Sequence, residues 1–562
     1  MPDERLRELA EEYWEAVLQT SPTTATLLGD HRFDDRLEDL SAEAEAEQRT
    51  RWSSIFARLH AIDRDGLGAD DLVTRGQLAG ELHDAVAAID RRVAELQSDQ
   101  MTGFHIGLLQ SIPVMAAPDA EAARMFVERL RQIPRALDQA AQRFLDGAAA
   151  GRTPPAICVS RSVNMIEGYL SSPVDTDVFA TLAGPEAWDG EAEWRATLGE
   201  VVKEVIRPAY LRFAGTLEER LLPQGRDDDH CGLSWLDDGP ELYATFVAHH
   251  TTVDLSPQAI HDIGMEEVTE RLPAEYAEVG GRLFGITDCA GVLGRLRTDP
   301  QLRYDTGEEI MDDARTAFQA GTAAMGEWFG RLPQSPCAIE VVPEFLAADS
   351  PSAYYFPPAG DGSRGGTYYV NTHRPEDKAR YETASIAFHE AVPGHHLQLA
   401  IATELTDLPS FRRFSLSNTA YVEGWGLYAE RLAEEMGLYR NDMERIGMLA
   451  ADSIRACRLV VDTGLHALGW TRARAIEFMA ANTPVSVEEV TVEVDRYIGM
   501  PGQALAYKLG QREIFRVRES ARSRLGGRFD IRGFHDAVLG SGAVRLPILG
   551  ELVDAWVSTR AA

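Results

Sequence analysis

"AEAARMFVERLRQIPRALDQAAQRFLDGAAA", residues 120–150, sets the architecture to be expected of this chain. Ala123, Phe126, Val127, Leu130, Ile133, Leu137, Ala140, Ala141 and Phe144 recur at spacings of three and four. That is the period of one apolar helix face. "AEAEAEQRTRWSSIFARLHAI" (42–62) and "EAEWRATLGEVVKEVIRPAYLRFAGTLEERLLP" (191–223) repeat the pattern. They are rich in Ala, Glu, Leu and Arg, which form helices readily. Proline and glycine clusters such as "SSPVDTD" and "RLPQSPC" punctuate them. The fold expected is mainly α: a large two-lobed helical body with a deep cleft, with an N-terminal helical lobe over residues 1–334 and a C-terminal lobe over 335–562.

One region departs from the pattern. "CAIEVVPEF" (337–345), "SAYYFPPAG" (352–360) and "GGTYYVNTH" (365–373) are rich in Val, Ile, Tyr and Phe. They read as two or three short antiparallel strands, with "AGDGSRGG" (359–366) as a hairpin connection. "TYYVN" comes directly before the next helix and is expected to form an edge strand. There it would hold an extended peptide by backbone pairing, with Tyr369 among the substrate contacts.

The balance of charge excludes some partners. Lys and Arg number 55 against 89 Asp and Glu, a formal charge of −34. Such a surface repels nucleic acid and anionic membranes. The five cysteines are scattered, with neither a disulfide framework nor a Cys-x-x-Cys pair. The first twenty residues, "MPDERLRELAEEYWEAVLQT", are charged and amphipathic and lack the apolar stretch of a targeting signal. Together these features predict a cytoplasmic chain.

The chemistry lies in "FHEAVPGHHLQ", residues 388–398. A catalytic zinc needs three protein ligands and an open position. In the common His-Glu-x-x-His helix the two histidines lie four residues apart and the glutamate is the base. Here Pro393 occupies the fourth position after His389 and cannot ligate. Proline also clashes with the carbonyl four residues earlier, so the helix should bulge or break at residues 392–395. On a straight helix His396 returns to the face of His389. With a bulge that absorbs two residues, His395 does. The second ligand is therefore His395 or His396. A third ligand is expected from "NTAYVEGWGLYAERLAEEMG" (418–437), where Glu423 sits beside Gly424 and Gly426. Two glycines inside a helix cost about 1 kcal/mol each relative to Ala, which makes sense if another helix must approach closely there. Glu430, two turns on, shares the face of Glu423 and could orient a ligating histidine.

Other readings are weaker. No Glu-x-x-His occurs, as a carboxylate-bridged di-iron site would want. "DGSRG" lacks the first glycine of a nucleophile elbow. His249, His250 and His466 read as structural histidines. The non-enzymatic alternative is a metal-free helical scaffold that binds peptides.

These motifs, with "AYYFPPAGDGSRGGTYYVNT", "RLVVDTGLHALGWT" and "RYIGMPGQALAYKLG", resemble a bacterial family known as domain-of-unknown-function family 885. The match is dense over residues 335–520. That family is similar in turn to the helical zinc carboxypeptidases of the Taq type, within the gluzincins. The resemblance implies one zinc ion held by His389, a second histidine matching Gly394-His395, and Glu423, with Glu390 as general base. The Val-Pro pair is an insertion relative to the usual motif. The activity implied is a metallopeptidase, carboxypeptidase-like, acting on peptides or small amides. Tyr497 and Tyr507 are candidate donors to the developing oxyanion. Arg364 and Arg496 are candidates for gripping a substrate carboxylate.

Overall fold

The computed structural model describes residues 3–561, apart from 187, 348, 349, 361, 363 and 416. Helices dominate it, and its described strands form one three-stranded sheet. The amphipathic N-terminal segment forms a helix, Glu4–Thr20, whose Asp3 caps it by accepting from the Leu6 amide at 3.0 Å. The chain resolves into two compact units. The first comprises residues 1–245, 468–473 and 494–500. The second comprises 246–467, 474–493 and 501–562.

In the first unit, residues 120–150 run as two helices, Ala120–Leu130 and Ile133–Ala149. Pro134 lies in the first turn of the second helix, where its missing N–H leaves no helical bond unmade. The predicted apolar face is the buried one. Phe126, Leu130, Ile133, Leu137 and Phe144 join Ile166, Leu198 and Tyr210 in one core.

The second unit holds the sheet, in the order β1–β3–β2 (Cys337–Val341, Gly366–Val370 and Ala353–Phe356). It is mixed rather than antiparallel: β1 runs parallel to β3, and β2 runs antiparallel to it. The cause is the connection after β1. Pro343 and the short helix Glu344–Ala347 carry the chain across, so β2 starts a new edge and β3 returns between the two. The expected 359–366 turn is bridged by the Ala359 amide donating to the Arg364 carbonyl at 3.0 Å. Its residues 361 and 363 lie outside the described residues.

The placement of β3 overturns one expectation. "TYYVN" is central, with both of its edges paired, so it cannot add a peptide strand. Tyr368 and Val370 are buried, and Tyr369 stacks on Tyr354 at 5.0 Å on the opposite face. The sheet packs through Tyr368 and Val370 on Ala384, Ala387 and Phe388 of helix Thr383–Glu390.

Two long helices of this unit pack against each other. Thr419–Glu435 and Ala506–Leu525 pass so close that a Cβ on Gly424 would lie 2.5 Å from the Gly510 Cα. A Cβ on Gly510 would strike the Ala420 carbonyl. Both neighbours are backbone and cannot yield cheaply. Gly510→Ala is therefore expected to force the helices apart and to cost about 1–3 kcal/mol, read as a lower midpoint in urea unfolding.

Candidate metal centre

The predicted break in the motif helix is present. Helix Thr383–Glu390 ends at Glu390, and a new helix, His395–Glu404, begins at His395. Pro393 has no N–H to continue the first helix. A Cβ on Gly394 would collide with the His389 carbonyl, so this tight reversal requires glycine. The chain re-enters helix with the His396 amide donating to the Ala391 carbonyl at 3.0 Å. Trp425, from helix Thr419–Glu435, donates its indole N–H to the Pro393 carbonyl at 2.9 Å, so the break keeps a buried donor.

This reversal brings three predicted groups together. Ligand atoms of His389, His395 and Glu423 all lie within 4.8 Å of one another. The Glu423 carboxylate is 3.6 Å from Nε2 of each imidazole, and the two rings meet edge to face with centroids 4.7 Å apart. His396 points elsewhere: its Nδ1 pairs with the Tyr355 hydroxyl of β2 at 2.9 Å. Of the two histidines left open by the sequence, His395 is the one gathered with His389 and Glu423.

His389 is held from behind. Its Nδ1 donates to Glu430 at 2.8 Å, and the other oxygen of Glu430 accepts from Ser385 Oγ at 2.7 Å. Tyr439 donates to the Glu430 backbone carbonyl at 3.0 Å. This fixes the tautomer that presents Nε2 forward, the arrangement that carboxylate–histidine–metal sites use. Ser385 escaped the sequence reading, although it lies one helical turn before His389 and shares its face. Gly426 also acquires a role there: a Cβ would stand 2.6 Å from His389 Cε1 and 2.7 Å from Nε2. The two glycines beside Glu423 thus admit two different neighbours, a helix at Gly424 and an imidazole at Gly426.

The electrostatics are those of a site that wants a cation. Burial works to lower the pKa of His389, but the Glu423 and Glu430 carboxylates outweigh it and push it up to about 10. Burial works to raise that of Glu423, and His389 and His395 outweigh it, holding the carboxyl well below its usual range. Burial raises Glu390, partly offset by the two histidines. Three carboxylates thus crowd two imidazoles out of water, an anionic excess that a divalent ion would offset. The donor set of two imidazoles and a carboxylate suits zinc. The residues present therefore fit the implied metal.

The remaining predicted residues have surroundings of their own. Tyr507 is buried beneath two guanidiniums, Arg458 at 4.4 Å and Arg455 at 5.8 Å from its ring centroid. Arg455 also acts electrostatically on Glu390, and its Nε is buried with no hydrogen-bond partner among the described residues. Sequence reading missed this arginine, which no motif marks. Arg364 lies over the Phe356 ring at 4.3 Å and donates to the Pro357 carbonyl at 2.6 Å. Arg496 and Tyr497 belong to the first compact unit, whereas the His389 cluster belongs to the second. His466 is buried on its helix, as expected of a core histidine.

Comparison with known proteins adds the following. A family model described as "Bacterial protein of unknown function (DUF885)" matches residues 22–553. A crystal structure of "the putative lipoprotein from Colwellia psychrerythraea" superposes with a TM-score of 0.92 at 26% identity, covering 99% of each chain. The structure of "a putative lipoprotein of unknown function from Shewanella oneidensis" superposes with a TM-score of 0.75 at 19% identity, covering 97% of this chain and 99% of that one. No curated protein matches. The Colwellia relative corrects the cytoplasmic expectation, since it is described as a "putative lipoprotein". The physical reason is that composition and scattered thiols describe a folded body, and a body of this kind carries no address. Among the described residues no helix is long and apolar enough to cross a membrane.

Proposed function

The chain belongs to the DUF885 family of bacterial proteins, and from that premise we propose that it is a zinc-dependent hydrolase. We take it to be a metallopeptidase of carboxypeptidase-like character that cleaves peptides or peptide-like amides. The observation that carries the reading is the convergence of His389, His395 and Glu423 within 4.8 Å, with the half-buried Glu390 next in sequence to the first of them.

His389, His395 and Glu423 would hold the ion, with Glu430 keeping Nε2 of His389 directed at it. Zinc supplies Lewis acidity, which polarises a scissile carbonyl and makes water nucleophilic at neutral pH. Glu390 takes the proton from the attacking water on its carboxylate and returns it to the leaving amine. Tyr507 is a candidate to donate to the developing oxyanion, since its neighbour Arg455 is within electrostatic reach of Glu390. Arg455 is also a candidate to receive a substrate carboxylate. The description of the Colwellia relative as a "putative lipoprotein" supports action on peptides outside the cytoplasm.

The test is metal content. Protein purified without chelator or nickel resin is expected to carry one zinc per chain by elemental analysis. Glu423→Ala should lose most of it, because two imidazoles alone leave an incomplete ligand set. A parent protein that takes up no zinc at neutral pH would return the reading to a metal-free peptide-binding scaffold.

A further inference from the structure

A second site lies within the second compact unit. A cavity of about 480 Å³ opens among residues 253–271, 431–452 and 508–516, and none of His389, Glu390, His395 or Glu423 lines it. Its size is that of a small-molecule site, about 300–1,000 Å³. Val253, Leu255, Ile263, Leu509 and Phe515 supply apolar wall, and charged side chains supply the rest.

The charges do not balance. Asp452 accepts from Lys508 at 2.5 Å, Arg431 at 2.5 Å and Arg271 at 2.7 Å. Glu267 accepts from Arg271 and Arg512, each at 2.5 Å, and Glu275 pairs with Arg431 at 2.6 Å and with Arg271. Four cations, Arg271, Arg431, Lys508 and Arg512, therefore share three carboxylates. Arg516 and Glu513 compensate each other at 2.7 Å. One positive charge is left over, in a chain whose net charge is −34.

That surplus has an address. Arg271 spends its Nε and both terminal nitrogens on Glu267, Glu275 and Asp452. Arg431 is spent likewise on Glu275 and Asp452. Lys508 is buried between Asp452 and Gln511. Arg512 gives a single N–H, from Nη1, to Glu267, and 41% of its side chain is exposed. A guanidinium has five N–H donors in a fork that matches a carboxylate. Arg512 is thus the cation of this wall with donors to spare, beside the apolar side chains of Leu509 and Phe515 on its own helix.

We propose that this cavity binds a small amphiphile bearing one carboxylate, with its headgroup on Arg512 and its apolar chain along Leu255, Leu509 and Phe515. A single surplus charge favours a monoanion over a dianion, and a cation would meet like charge.

Isothermal titration of the full chain with octanoate, octanol and octylammonium tests this. Octanoate is expected to bind once per chain, at least tenfold more tightly than octanol, and octylammonium should give no heat of binding. Arg512→Leu, at a partly exposed position, should reduce octanoate to the level of octanol. Equal binding of octanoate and octanol, no octanoate binding at millimolar concentration, or an unaltered Arg512→Leu protein would each overturn the proposal. Should Arg512→Leu not fold, Leu255→Trp serves in its place. It fills the apolar wall and should weaken octanoate and octanol together by tenfold or more; unchanged binding of both would likewise overturn the proposal.

Discussion

Glu390→Gln is expected to keep its zinc and to lose hydrolysis of small peptides by roughly 10²–10⁴-fold, the usual contribution of a positioned general base. The two side chains have the same shape, so the packing of this half-buried position is preserved. The amide cannot accept and return a proton. It also leaves the cluster one negative charge poorer, which lessens the repulsion that Glu390 exerts on Glu423. Zinc content should therefore hold while turnover falls, and elemental analysis on the same sample separates the two. A variant that hydrolyses peptides as fast as the parent would show the assigned role of Glu390 to be wrong.

Gly426→Ala should have the second largest effect, on zinc affinity rather than on turnover of the loaded protein. A methyl group at this position needs the space that the His389 ring occupies, 2.6 Å away at Cε1. The ring cannot retreat without breaking its 2.8 Å bond to Glu430. Disturbing the partner that orients a ligating histidine typically costs 10–100-fold in metal affinity, and that is the loss expected in a competition titration against a chelator. Gly215→Ala is the control. A Cβ there meets nothing within 4 Å, so it should leave zinc affinity unchanged. If both variants bind zinc like the parent, His389 is not a ligand.

The sequence carried much of this site because its signals are local. Pro393 forbids the ordinary spacing by its ring alone, and a reader of residues 388–398 can deduce the break without knowing its surroundings. Gly424 and Gly426 advertise close approach by their cost in a helix. What approaches them, Gly510 in one case and His389 in the other, is set by tertiary packing. The sheet shows the limit more sharply. Local pattern marks strands, but parallel or antiparallel pairing depends on where the intervening chain crosses, and nothing in "TYYVN" records that β1 will lie on its far side. The burial of β3 on both faces at Thr367 and Tyr368 is equally hidden, because tyrosine and threonine read as half-exposed residues. The network around Asp452 and Lys508 joins residues 56 positions apart and has no periodicity to betray it.

The interruption at Pro393–Gly394 bears on how such a site can change over generations. Removing Val392 and Pro393 would turn "HEAVPGHH" into "HEAGHH" and restore a four-residue interval between His389 and the next histidine. The break between Glu390 and His395 already takes up those two residues, which is how His395 comes to stand with His389 and Glu423. The segment after it buries His395, His396, Leu397, Gln398, Ala400, Ile401 and Ala402, so it must keep its place if the break closes. The Pro393 carbonyl that accepts from the indole of Trp425 would go with the deletion, leaving that buried N–H the Gly394 carbonyl, now 3.3 Å away. The longer spacing thus serves the indole as well as the histidines, and the shorter motif would give up that hydrogen bond while keeping the ligand set.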